Sequence, residues 1–211
     1  SSHIESYFGA LPKGELMTPT QVQINTDGEK SHKIPSKTGA TSIAIGFPAY
    51  SRTSPHRIAQ QLLDTMLAKT KSNTRFASIT IDEALARSIG TSLFQFSDGG
   101  VYSMQIFGES KTSAQAHQRV LDEVERISMT PVGEEELERA KGFYSGMQMI
   151  STHDPIEASF FYAMQLLLDG VSGLPGTGEH ALRSHAEFIS AIKSVPVDEV
   201  QGVPQQIFNP K

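Results

Sequence analysis

Seven histidines spread over 211 residues are the side chains best able to hold a metal ion, so their spacing is the first chemistry to test. Two histidines on adjacent turns of a helix, with a carboxylate, can bind zinc tetrahedrally. No glutamate directly follows a histidine anywhere in the chain, so a His-Glu-x-x-His helix cannot form. The inverse motif, His-x-x-Glu-His, needs a Glu-His pair. The only one is Glu179-His180, where the first ligand position is Gly176. His180 and His185 lie five residues apart, too far round a helix to share one face. Cysteine is absent, which removes thiolate metal sites, disulfides and cysteine nucleophiles together and leaves the compartment open. The sequence therefore contains no local zinc motif and singles out no metal ligand or catalytic residue, although composition alone leaves a Ser/His/Asp triad open.

Other reaction classes fare no better. There is no Gly-x-Ser-x-Gly nucleophile elbow and no Gly-x-x-x-x-Gly-Lys-Ser/Thr phosphate loop. Gly99-Gly100 reads as part of a hairpin turn, and acids such as Glu83, Asp98 and Glu109 form no specific pattern. A net charge of −5 with 19% charged residues argues against a nucleic-acid partner. No apolar run approaches the roughly 18–20 residues of a transmembrane segment, and Ala163–Leu168 is the richest stretch. The expected partners are proteins, peptides or small molecules. The chain opens Ser1-Ser2-His3-Ile4 without an initiator methionine or a leader pattern and reads as a fragment of a longer gene product.

A hydrophobic content of 38% is enough for a real core, and the periodicity shows which elements build it. Gln21–Asn25 alternates apolar and polar residues before an Asp27-Gly28 turn, which predicts a half-buried strand. Thr41–Phe47 alternates again, with large residues at 43, 45 and 47 and small ones between, so one face packs inward and the other is nearly bare. Ser54-Pro55 predicts a helix start, followed by the stripe Ile58, Leu62, Leu63, Met66 and Leu67. Residues 69–90 show no clean period and read as an irregular connection, with a helical turn expected at Asp82–Arg87. Leu93, Phe94 and Phe96, then Asp98-Gly99-Gly100, then Tyr102, Met104 and Ile106 form a hairpin pattern.

After residue 112 the period changes from two to about 3.6. Ala116, Val120, Leu121, Val124 and Ile127 mark one helix, and Leu137, Ala140, Tyr144 and Met147 the next. Glu134, Glu135 and Glu136 occupy its first turn, where carboxylates favour the positive end of the helix dipole. Asp154-Pro155 caps a third helix, whose Phe and Met residues are expected in the core, stopped by Asp169-Gly170. A fourth is expected from about Glu179 to Lys193, and a short fifth near Pro196 weakened by Gly202 and Pro204. This order predicts an α+β fold: a largely antiparallel sheet with helices packed on one face.

Taken together, the chain resembles the second, inactive (C-terminal-type) domain of the pitrilysin/insulinase-like zinc metallopeptidases, relatives of mitochondrial processing peptidase. Ile4–Gly14 resembles the segment closing that family's first domain. Ala44–Ala49 with the following Ser-Pro helix is similar to its first long strand and helix. Gly133–Lys141 is similar to its Glu-Glu-Leu-x-x-Ala-Lys helix start, and Ser194–Val200 to a late Thr-Pro-x-Asp-Val turn. The resemblance implies a metallopeptidase-half fold, with residues 1–20 as linker and tail of a preceding domain and 21–211 as the non-catalytic domain. It implies no cofactor in this chain and zinc in a partner domain, whose site this domain closes over as part of a peptide-binding chamber. The implied partners are a catalytic zinc-binding domain or subunit and a peptide substrate, in a homo- or heterodimer. A structural scaffold with the same fold is the alternative. Asn73-Thr74-Arg75-Phe76 stands where the family has Ser-Ser-Arg-Leu, and Ala84–Ser88 where it has Gly-Leu-Ala-Tyr-Ser. Arg75 and Arg87 are thereby the substrate-binding candidates. Two features depart from the family: Ala68–Lys71 replaces its glycine-rich loop, and Arg87 replaces a tyrosine whose hydroxyl can donate to a developing oxyanion.

Overall fold

The computed structural model describes residues 2–12, 14, 31–35, 39–70, 73–165 and 184–208. The expected strand at 21–25, His180, and the expected stop at Asp169-Gly170 lie outside the described residues. The elements are α1 (Ser2–Phe8), β1 (Ala40–Ala49), α2 (Arg57–Asp64) continuing into a π-helical turn (Thr65–Lys69), α3 (Ala77–Ile81), β2 (Ser88–Gln95), β3 (Gly100–Glu109), α4 (Ser113–Met129), α5 (Glu134–Ser151), α6 (Pro155–Met164), α7 (His185–Ser194) and α8 (Val197–Ile207). The fold is α+β.

Three antiparallel strands run in the order β1-β3-β2. The alternation legible in the sequence sets their register, because a one-residue slip would turn every core residue outward. On the inner face, Ile43, Ile106 and Ile89 form one row and Phe47, Tyr102 and Leu93 another. Gly100 closes the hairpin opposite Gln95, where a Cβ would lie 2.6 Å from the Phe94 carbonyl oxygen and 2.9 Å from that of Tyr50.

The helices pack on that inner face. Leu62, Leu63 and Leu67 of the α2 stripe are buried with Ala116, Val120 and Ile127 of α4, Leu137 of α5, Ile192 of α7 and Val200 of α8. Burying each such leucine contributes about 1.5–3 kcal/mol. The regular turns of α2 begin at Arg57, later than Ser54-Pro55 predicted, but the Ser54 hydroxyl oxygen still accepts from the His56 amide at 3.2 Å. The cap sits on the turn leading into the helix.

Three expectations are corrected. First, residues 69–90 are more regular than their pattern: α3 occupies 77–81, and the chain then turns through Ala84, at φ 51, in place of a helical turn at 82–87. Second, the apolar residues of α6 are not core: Ile156 is 77% and Phe160 61% exposed, and Met147 on α5 is also largely exposed. Their sequence carries apolar residues all round the helix, so periodicity gives no inward direction. Third, α8 continues through both Gly202 and Pro204 for 11 residues. Val203, Pro204 and Ile207 are buried, and that tertiary burial outweighs the lost amide donor.

Candidate functional site

Arg75 lies six residues beyond the end of the π-helical turn and folds back onto it. Its amide donates to the Met66 carbonyl at 3.0 Å and the Phe76 amide to the Leu67 carbonyl at 3.1 Å, so the loop caps orphaned carbonyls of the widened turn. This aims the guanidinium at two helices. Nε and Nη2 donate to the two carboxylate oxygens of Glu136 on α5 at 2.8 and 2.7 Å, and Nη1 donates to Glu123 on α4 at 3.3 Å. Glu123 also accepts two hydrogen bonds from Arg126, each 2.8 Å. The Arg75 side chain is only 9% exposed and that of Glu123 7%. Burial alone would lower the Arg75 pKa, but the contacts with Glu136 and Glu123 outweigh it and hold the pKa above its ordinary value.

Arg87 lies elsewhere. Its amide donates to the Phe107 carbonyl at 2.8 Å, at the start of β2, and its exposed side chain helps hold the Glu109 carboxylate below its ordinary pKa, after the larger effect of Lys111. Arg75 is built into the helical layer, whereas Arg87 sits at the end of the sheet, close to the outer face carrying Phe94, Val101 and Phe107.

A second polar cluster was not visible in the sequence. Asp64 at the end of α2 is fully buried; its carboxylate accepts from the Tyr102 hydroxyl at 3.0 Å and pairs with Lys69 at 3.1 Å. Lys69 also donates to the Thr91 carbonyl at 2.9 Å. Burial, and then the neighbouring Asp64 charge, push the Tyr102 phenol well above its ordinary pKa. The stripe Ile58, Leu62, Leu63, Met66 and Leu67 gave no sign of this site, because Asp64 lies outside that arc of the helix.

The carboxylates do not fit a zinc ion. Among the described residues no three His, Asp or Glu side chains stand close enough to hold a metal. The most buried acids, Asp64 and Glu123, are already matched with cations and hydrogen-bond donors. No helix of the described residues is long and apolar enough to cross a membrane.

These features define a class: an α+β half-domain whose helices cover one face of an antiparallel sheet and whose described residues form no metal-binding group. The model of the Peptidase M16 inactive domain matches residues 2–143, and the chain belongs to that family. No curated protein sequence matches it. Among solved structures, a protease from Helicobacter pylori shares the fold with TM-score 0.79 and 16% identity, covering 97% of this chain and 48% of that one. An inactive peptidase domain from Bordetella parapertussis gives TM-score 0.65 and 18% identity over 84% of this chain and 92% of that one. Complex III2 from Candida albicans gives TM-score 0.66 and 19% identity over 82% and 41%. The chain spans less than half the length of the Helicobacter and Candida chains it resembles.

Proposed function

We propose that this non-catalytic domain forms one wall of a peptide-binding chamber and closes over a zinc site held by a companion catalytic domain or subunit, in a homo- or heterodimer. The observation that carries the reading is the combination of family membership with a donor set that cannot hold zinc within the described residues. Peptide and partner surface is plentiful. Phe94, Val101 and Phe107 are exposed on the sheet face that no helix among the described residues covers, and Ile4, Tyr7, Phe8 and Leu11 of the amino-terminal segment are each more than 60% exposed. The latter fall at helical spacing, which supports residues 1–20 as the tail and linker of a preceding domain and 21–211 as the domain proper.

Both arginines remain in the proposal as substrate-binding residues, reached in different ways. Arg87 meets peptide from the open end of the sheet. Arg75 meets it only along the edge that its ion pairs leave open, and it also holds the loop against α4 and α5. A purely structural scaffold is the second reading, favoured by the likeness to complex III2 and by the engagement of every Arg75 nitrogen with a carboxylate. Affinity capture from cells that encode the chain separates the two. A partner carrying His-x-x-Glu-His, whose peptidase activity falls in the Arg87→Ala variant, supports the chamber; a membrane complex without peptidase activity supports the scaffold.

A further inference from the structure

One cleft lies outside everything assigned so far. It has a volume of about 180 Å³ and lies between the π-helical turn and α5, beside the Arg75–Glu136 pair. Met66, Ala140 and Phe143 supply its apolar surface, while Asn73 and Arg139 stand at its edge. Glu136 also lines it, but both its oxygens are bonded to Arg75, so its charge is matched. Arg139 uses one nitrogen on Glu135, at 2.7 Å, which leaves Nε and Nη2 without a partner among the described residues. Asn73, held in a left-handed conformation at φ 61, makes no side-chain hydrogen bond among them.

An apolar floor with a few unspent polar groups converging on it is the general form of a small binding site. Cavities of about 150 Å³ accept a benzene-sized group, so this cleft has room for a single phenyl or branched aliphatic side chain. Among the described residues lining the cleft the Arg139 guanidinium is the one cation with donors to spare, and its fork geometry suits a carboxylate. We propose that the cleft is a subsite for a large apolar side chain of a peptide whose adjoining carboxylate is held by Arg139, with Asn73 donating to the neighbouring carbonyl. The proposal rests on the reading that this domain handles peptide. It gives the Arg75–Glu136 pair a definite task, since that pair fixes the spacing between the two walls.

The probe is N-acetylphenylalanine, titrated into the isotope-labelled chain while amide resonances are followed. Saturable shifts centred on Met66, Asn73, Ala140 and Phe143 are expected. N-acetylphenylalanine amide, which lacks the carboxylate, and N-acetylserine, which lacks the ring, should each bind about tenfold more weakly. Arg139→Gln should remove the preference for the acid over the amide without changing the fold, because Arg139 is half exposed. Phe143→Ala should weaken both ligands alike. Shifts absent from these residues, equal binding of N-acetylserine, or an acid preference that survives Arg139→Gln would overturn the subsite. Association with a zinc-bearing half is measured separately. Association without probe binding sinks the subsite alone, whereas probe binding without association upholds the subsite and sinks the chamber reading.

Discussion

The Arg75 guanidinium meets the Glu136 carboxylate edge to edge, with parallel contacts of 2.8 and 2.7 Å between residues 61 positions apart. This bidentate pair joins the loop after the π-helical turn to α5, and the remaining Arg75 nitrogen reaches α4 through Glu123. One side chain thus ties three segments together.

Removing it leaves a nearly buried Glu123 short of one cation and Glu136 unpaired. Arg75→Ala should therefore destabilise the domain by about 3–5 kcal/mol, read as a lower urea midpoint at unchanged slope. Arg75→Lys should recover only part, because an ammonium cannot make the parallel pair. A loss below about 1 kcal/mol would assign the cluster the small value of a solvated surface pair.

Tyr102 and Asp64 form the second buried tie. Tyr102→Phe removes the 3.0 Å hydrogen bond to a carboxylate with no exposed surface and should cost about 1–3 kcal/mol in thermal or urea unfolding. A neutral effect would show that Lys69 and Gln61, which donates to the same carboxylate at 3.4 Å, satisfy Asp64 without the phenol.

The phenols also set an alkaline limit. Burial pushes Tyr144 up to about 12, and burial with the Asp64 charge raises Tyr102 well above its ordinary value. An unfolded tyrosine ionises near pH ~10, so the stabilisation is complete below that pH and is lost as pH rises towards the folded values. Unfolding midpoints should fall between about pH 10 and 12, with these two phenolate absorbances appearing together with unfolding. Titration of all five tyrosines near pH ~10 in a still-folded chain would contradict this.

Glycines divide by their surroundings. Gly100→Ala should damage the hairpin, because its Cβ would meet the Phe94 carbonyl oxygen at 2.6 Å. Gly46→Ala and Gly90→Ala, both mid-strand, would meet nothing within 4 Å and should be neutral or stabilising. Melting temperatures of the three variants test the contrast.

Much of the scaffold was legible. Ile43, Ile45 and Phe47, and Tyr102, Met104 and Ile106, announce their strands because alternation is local. The stripes of α2 and α4 read equally well. The direction of α6 did not, since residues such as Ile156 and Phe160 are apolar on a helix with no polar side to orient it. Nor did the π-helical turn, whose widened carbonyls are satisfied by Arg75 and Phe76 only after the chain returns. Arg75 itself was legible as a position of interest, but its partners were not, because nothing local links it to Glu123 or Glu136. Asp64 stayed hidden for the same reason.

The most direct test of the central claim is metal analysis of the purified chain combined with a peptide-cleavage assay, run with and without a zinc-bearing M16 catalytic half. The chain alone should carry no stoichiometric zinc and cleave no peptide, and metal-dependent cleavage should appear once the catalytic half is added. Tight one-to-one zinc, with chelator-sensitive cleavage by this chain by itself, would contradict it.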